Sequence, residues 1–129
     1  IHLENKEKKY FITENQIEVK VPLNLSFCKA ADISFDSNKT IFVDADKLQY
    51  PLILRHWNKG DSFQPFGMNG KSKKVSKLFK DEKLSLVEKE NLWLLCSNDE
   101  IVWIIGLRQD ERFRIENTTT NRLKIQLEE

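Results

Sequence analysis

The 129 residues carry 21 Lys and Arg against 20 Asp and Glu, with 40% apolar residues, three Trp and eight Phe. This is the composition of one folded domain able to bury a core without metal or disulfide staples, which excludes a disordered chain. No apolar run approaches the eighteen or so residues of a membrane-spanning helix, and the N-terminus lacks the apolar core and cleavage site of a signal peptide, so no membrane partner and a cytoplasmic location are expected.

Opening at Ile1 in a strand-like pattern, the chain reads as a piece of a longer polypeptide. Lys9 to Thr13, Gln16 to Val21 and Leu23 to Cys28 are short runs punctuated by Glu14-Asn15 and Pro22. Ile17, Val19 and Val21 alternate on one face and Leu23, Leu25 and Phe27 continue the period, predicting a small antiparallel meander over residues 1–40. Lys29 to Lys39 is a polar connection and Thr40 to Val43 a fourth strand. Asp44 then caps a short helical turn through Leu48 that Pro51 ends.

Leu52 to Leu54 predicts a strand that delivers Arg55 and Trp57 to the middle of the chain. Gly60-Asp61, Pro65 and Gly67 to Gly70 mark a turn-rich loop longer than a hairpin needs, and long ordered loops tend to carry binding. A helix is expected over 73–82, with Ser72 as its N-cap. Leu92 to Cys96 and Ile101 to Ile105 are strongly apolar strands joined by a tight turn at 97–100, central in a sheet, with Trp93 and Trp103 in or near the core. Leu123, Ile125 and Leu127 alternate in a last strand. The fold class is α+β and β-rich: a sandwich-like sheet core with one main helix.

Charge is unevenly spread along this order. Between Leu54 and Lys83 eight basic residues face three acids, a balance of about +5 against about −4 for the rest. On the predicted helix Val75, Leu78 and Phe79 share one side, while Lys73, Lys77 and Lys80 lie opposite within roughly 60° of arc. Such lysines can form an ordinary solvated face, but between Lys71 and Lys80 no acid is interspersed to pair with them. Lys73 and Lys74 would stand in the first turn, where cations are disfavoured, so an anion-binding role is the better account, with a nucleic-acid backbone as the ligand. GMNGKS lacks the spacer of a phosphate-binding GxxxxGK[ST] loop, which argues against a nucleoside triphosphate there.

Other chemistries find little support. Cys28 and Cys96 are isolated in apolar runs and read as two buried free thiols, without CxxC spacing. His2 and His56 have no ligand companions, so no metal is assigned. Asp44 and Asp46 suit a cap and turn better than a carboxylate pair, and Ser62 and Ser76 have no base placed beside them; no catalytic residue is assigned. Trp57, Phe63 and Phe66 could stack on bases or pin the loop to the core.

The string Leu54-Arg55-x-Trp57-x-x-Gly60-Asp61-x-Phe63-x-Pro65-x-Gly67-Met68-x-Gly70, followed by Lys73-Lys74-Val75-Ser76 and Phe79, resembles the C-terminal domain of bacterial tRNA(Ile)-lysidine synthetases. Val43-Asp44-Ala45-Asp46-Lys47-Leu48 upstream and Ile101-Val102-Trp103 with Gly106, Arg108 and Asp110 downstream fit as well, so the resemblance covers about 41–127. One departure is Lys77, where many members carry Asp.

That resemblance implies a β-sandwich with helices, shared with a phenylalanyl-tRNA synthetase subunit. It also implies a single non-catalytic, tRNA-binding C-terminal module over 1–129, belonging to a ligase that joins lysine to the wobble cytidine of isoleucine tRNA. ATP with Mg and lysine would be bound in an N-terminal domain carrying an SGGxDS loop, a motif absent here, and no cofactor by this module. The tRNA acceptor stem and the catalytic domain are the implied partners, with a homodimer left open. Carried onto this sequence, Arg55, Lys59, Lys71, Lys73, Lys74, Lys77, Arg108 and Arg112 are the expected tRNA contacts. Gly60, Asp61, Phe63, Pro65, Gly67 and Gly70 would shape the loop. The alternative is a structural docking or dimerisation domain with little tRNA contact, suggested by the apolar runs at 92–96 and 101–105 and by the aromatic loop.

Overall fold

A computed structural model describes residues 8–30 and 37–128. His2 and the middle of the 29–39 connection lie outside them. The strands are β1 (Tyr10–Ile12), β2 (Glu18–Val19), β3 (Asn24–Lys29), β4 (Thr40–Asp44), β5 (Leu52–Arg55), β6 (Ser62–Phe63), β7 (Lys73–Lys74), β8 (Leu94–Ser97), β9 (Glu100–Ile104), β10 (Arg108–Gln109) and β11 (Arg122–Glu128), with helices α1 (Val75–Asp81) and α2 (Leu86–Asn91) between β7 and β8.

Two antiparallel sheets and a ribbon result. The five-stranded sheet runs β1-β5-β8-β9-β10, the four-stranded sheet runs β2-β3-β11-β4, and β6 pairs β7. Between the sheets lies the main core, where Leu52, Leu54, Leu95 and Trp103 of one meet Leu25, Ile41, Val43 and Ile125 of the other. A second core covers the outer face of the five-stranded sheet. There Leu94, Cys96, Ile101 and Ile104 meet Val75, Leu78 and Phe79 of α1 and Phe63 of β6. Buried on both faces, β8 and β9 must read as continuous apolar runs rather than alternating ones, which accounts for the LWLLC and IVWII stretches.

Several expectations are corrected. The first three runs are not one meander: β1 pairs β5 while β2 pairs β3, because the turn at Glu14-Asn15 carries the chain from one sheet to the other. Of the alternating set Ile17, Val19 and Val21 only Val19 is buried; β2 is a two-residue edge, and Ile17 and Val21 on either side of it are 72% and 65% exposed. The helix predicted over 73–82 begins at Val75, with Lys74 rather than Ser72 at its N-cap position, because Lys73 and Lys74 are held as a strand against Phe63 and Ser62. A second helix also forms, started by a capping box in which Ser85 and Glu88 exchange side chain and backbone bonds.

Cys28 is exposed, since the β3 alternation turns Leu25 and Phe27 inward and Cys28 outward. Burial raises the Cys96 thiol to a pKa of about 11. Labelling the native protein with a thiol reagent near pH 8 should therefore modify one cysteine promptly and the second only after denaturation. Two fast-reacting thiols in native buffer would contradict this packing.

Candidate nucleic-acid interface

The loop between β5 and β7 is braced at both ends. At its start Arg55 donates two hydrogen bonds to Asp61, Nη1 to Oδ2 at 2.9 Å and Nη2 to Oδ1 at 3.1 Å. Asp61 Oδ2 also accepts the Asn58 N–H at 2.6 Å, closing a tight turn. Gly60, at φ +97, supplies in that turn the left-handed backbone that side-chain-bearing residues rarely adopt. Asp61 holds the Arg55 guanidinium above its ordinary pKa; both side chains are 16% exposed. Bidentate pairing of this kind fixes geometry more than it supplies net stability.

Further along, Phe63 is buried in the second core, and Pro65 bridges to Asp110. Asp110 is fully buried. Its carboxylate accepts the Gln64 N–H at 2.8 Å, the Arg112 N–H at 2.8 Å, and Arg112 Nε and Nη2 at 3.0 and 2.9 Å. Glu111 N–H donates to Gln64 O and Phe66 N–H to Gln109 O, while Arg108 Nη2 donates to Phe66 O at 3.0 Å. The loop is thus stitched along the segment 108–112, which brings Arg108 and Arg112 beside it. Gly67 and Gly70 both hold positive φ in the turn that follows.

From that turn the chain enters β7 and α1, and the lysines gather. An open groove of about 680 Å³ is lined by Met68, Ser72, Lys73, Lys74, Ser76, Lys77, Lys80 and Asp81. Lys73 Nζ lies 2.7 Å from Asp81 Oδ2 and Lys77 Nζ 3.3 Å from Asp81 Oδ1. Hydrogen bonds from Lys73 and then Lys77 hold the Asp81 carboxyl below the usual carboxylate range. Lys74 and Lys80, with Lys71 in the turn before and Lys59 earlier in the loop, are exposed and have no acidic partner among the described residues. The Gly67 to Lys71 turn runs into a strand rather than a helix.

The family model described as TilS substrate C-terminal domain matches residues 52–126, from β5 through most of β11. The chain belongs to this family. Relatives include tRNA(Ile)-lysidine synthases of Parabacteroides distasonis, 48% identical over 122 residues, which are 91% of this chain and 28% of that protein, and of Bacteroides thetaiotaomicron, 49% identical over 81 residues, which are 63% of this chain and 19% of that protein. The matched segments therefore span 28% and 19% of the length of these two relatives. A solved structure described as a crystal structure of the TILS C-terminal domain superposes with a TM-score of 0.74 at 24% identity, covering 92% of this chain and 95% of the other, which shows a shared fold.

Within this TilS domain the expected contact residues fall into two groups. Lys59, Lys71 and Lys74 are exposed and have no acidic partner among the described residues, while Lys77 is exposed and paired with Asp81 and Arg108 donates to the Phe66 carbonyl. Arg55, Lys73 and Arg112 are committed to Asp61, Asp81 and Asp110. Arg112 also reaches Glu100 at 3.0 Å, and Arg114 pairs with Glu116 at 3.4 Å. Of the three loop aromatics only Phe66 is exposed, at 39%; Trp57 meets Phe79 edge-on at 5.0 Å. Sequence reasoning passed over Asp81, which stands one residue beyond the acid-free stretch and four beyond Lys77, a spacing that was open to view. Ion pairing of Arg112 with Asp110 two residues away is open to local reading, whereas the Gln64 N–H that Asp110 also accepts lies 46 residues away and is not.

Proposed function

We propose that this chain is the tRNA-holding module of a tRNA(Ile)-lysidine synthase, gripping the phosphate backbone of the isoleucine tRNA acceptor stem in the lysine groove. The observation that carries the reading is the bare set Lys71, Lys74 and Lys80, three exposed cations without an acidic partner among the described residues, on a face backed by a packed core. Solvated faces normally intersperse signs. Helical RNA hides its base edges in a deep groove and is met through shape, phosphates and 2′-hydroxyls, which ammonium groups presented from a packed platform suit. Lys59, Lys77 and Arg108 flank the row, while Arg55 and Arg112 hold the loop that presents it.

In this reading residues 1–129 form one non-catalytic C-terminal domain of a cytoplasmic enzyme. ATP with Mg and lysine are bound by the remainder of the polypeptide, which attaches lysine to the wobble cytidine. A docking role beside tRNA binding is favoured by α2, whose neighbouring Leu86 and Val87 are 69% and 64% exposed. The apolar runs that first suggested docking are occupied in the two cores.

The test is fluorescence anisotropy of the chain with an acceptor-stem minihelix and, separately, an anticodon stem-loop, across a salt series. The minihelix should be preferred, with a steep salt slope. Lys71→Ala with Lys74→Ala should weaken binding and flatten the log–log slope by about 1 per lost contact. An unchanged slope rejects the pair as phosphate ligands, and no binding by a folded chain moves the assignment to docking alone.

A further inference from the structure

Asp81 has an unusual position in the lysine groove. Its single carboxylate holds two ammonium groups from two elements, Lys73 of β7 through Oδ2 and Lys77 of α1 through Oδ1. Lys73 is the more deeply held, its side chain 17% exposed, whereas the carboxylate is 40% exposed and opens onto the groove that Lys74 and Lys80 also line. Helix stability does not account for an acid there: Asp81 closes the last turn, where the carbonyl end is itself negative. Nor do exposed ion pairs of this kind contribute much to folding. A carboxylate and a phosphate offer an ammonium group the same thing, anionic oxygens at hydrogen-bonding distance. Asp81 therefore sits where phosphate oxygens bound between Lys73 and Lys77 would sit.

We propose that Asp81 is an internal competitor for the RNA phosphate, occupying the anion position between Lys73 and Lys77 in the free protein and giving way when a phosphate enters. The inference rests on the phosphate-binding role of this face and adds a limit on its strength. A lone small anion must displace the carboxylate unaided. A polyanion whose neighbouring phosphates are already engaged by Lys74 and Lys80 delivers the next one at high effective concentration. The device thus favours an extended backbone over free phosphate and keeps the complex from becoming too tight to release.

Asp81→Asn removes the charge and keeps the side-chain size; Asp81→Ser, equally neutral, guards against an effect peculiar to Asn. Glu128→Gln, on the four-stranded sheet away from α1, makes the same change in net charge at a remote point. With the acceptor-stem minihelix, both Asp81 variants should bind about fivefold tighter at 0.15 M salt and steepen the log–log slope by about 1, the value of one added contact. Glu128→Gln should do neither. Equal or weaker binding by folded Asp81 variants, while Lys71→Ala with Lys74→Ala still loses affinity, overturns the inference and leaves the phosphate face standing. A gain matched by Glu128→Gln overturns it as well, as a bulk charge effect. Absence of minihelix binding by the wild type and every variant overturns both.

Discussion

Replacing Asp110 with Ala should lower the melting temperature by about 10 °C, reflecting a loss of roughly 3 kcal/mol. The side chain is 0% exposed and its two oxygens receive four hydrogen bonds, from Gln64 N, Arg112 N, Arg112 Nε and Arg112 Nη2. Deleting one member of such a network strands the others: the Gln64 amide loses its acceptor, and Arg112 keeps only Glu100. Removing one partner of a buried pair typically costs about 3–5 kcal/mol, and the lower end applies because Arg112 is partly solvated. Asp110→Asn, which retains one acceptor oxygen, should fall between the variant and the wild type. The damage should be local as well as global, with faster hydrogen exchange at the amides of Gln64 and Glu111, which tie the loop to the segment 108–112. A melting temperature within about 2 °C of the wild type would show that the loop is held by other means.

The Asp110 network also marks where sequence pattern stops being informative. The apolar runs at 92–96 and 101–105 announce central strands because burial on both faces leaves no polar alternation. The Gly60, Gly67 and Gly70 turns and the charge excess between Leu54 and Lys83 are equally local signals. The partners of Arg55, Lys73 and Arg112 are a different matter. Each cation was a reasonable phosphate ligand by charge, and each is claimed by an aspartate that folding delivers. Asp61 is six residues from Arg55, Asp81 eight from Lys73, and Asp110 two from Arg112, so proximity alone did not hide them. The pairing depends on loop, strand and helix geometry that single-sequence periodicity does not carry. Helix periodicity likewise extended α1 back over Lys73 and Lys74, whereas pairing with Ser62 and Phe63 took those residues into a ribbon. Lys59, Lys71, Lys74, Lys80 and Lys83, without an acidic partner among the described residues, are what remains of the basic stretch after that internal neutralisation.

Phe79→Ala should be the most damaging single change on the helical face, at about 3–5 kcal/mol for a fully buried aromatic. Phe79 is 1% exposed and meets Trp57 edge-on, with Val75 and Leu78 beside it and Leu94, Cys96, Ile101 and Ile104 beneath in the second core. α1 has only seven residues, too few to persist in water without the sheet. Its loosening should therefore be seen before global unfolding, and Cys96 provides the local probe. In the wild type that thiol is buried in the same cluster and raised to about 11. In Phe79→Ala it should become reactive under conditions where the chain is still folded by circular dichroism, and minihelix affinity should fall together with Cys96 protection. Lys74→Ala should instead reduce affinity with Cys96 still protected, since Lys74 is exposed and contributes charge rather than packing. If Phe79→Ala left both Cys96 protection and RNA affinity intact, the lysine face would not depend on α1 being seated on the sheet, and the second core could not be the platform from which the phosphate backbone is held.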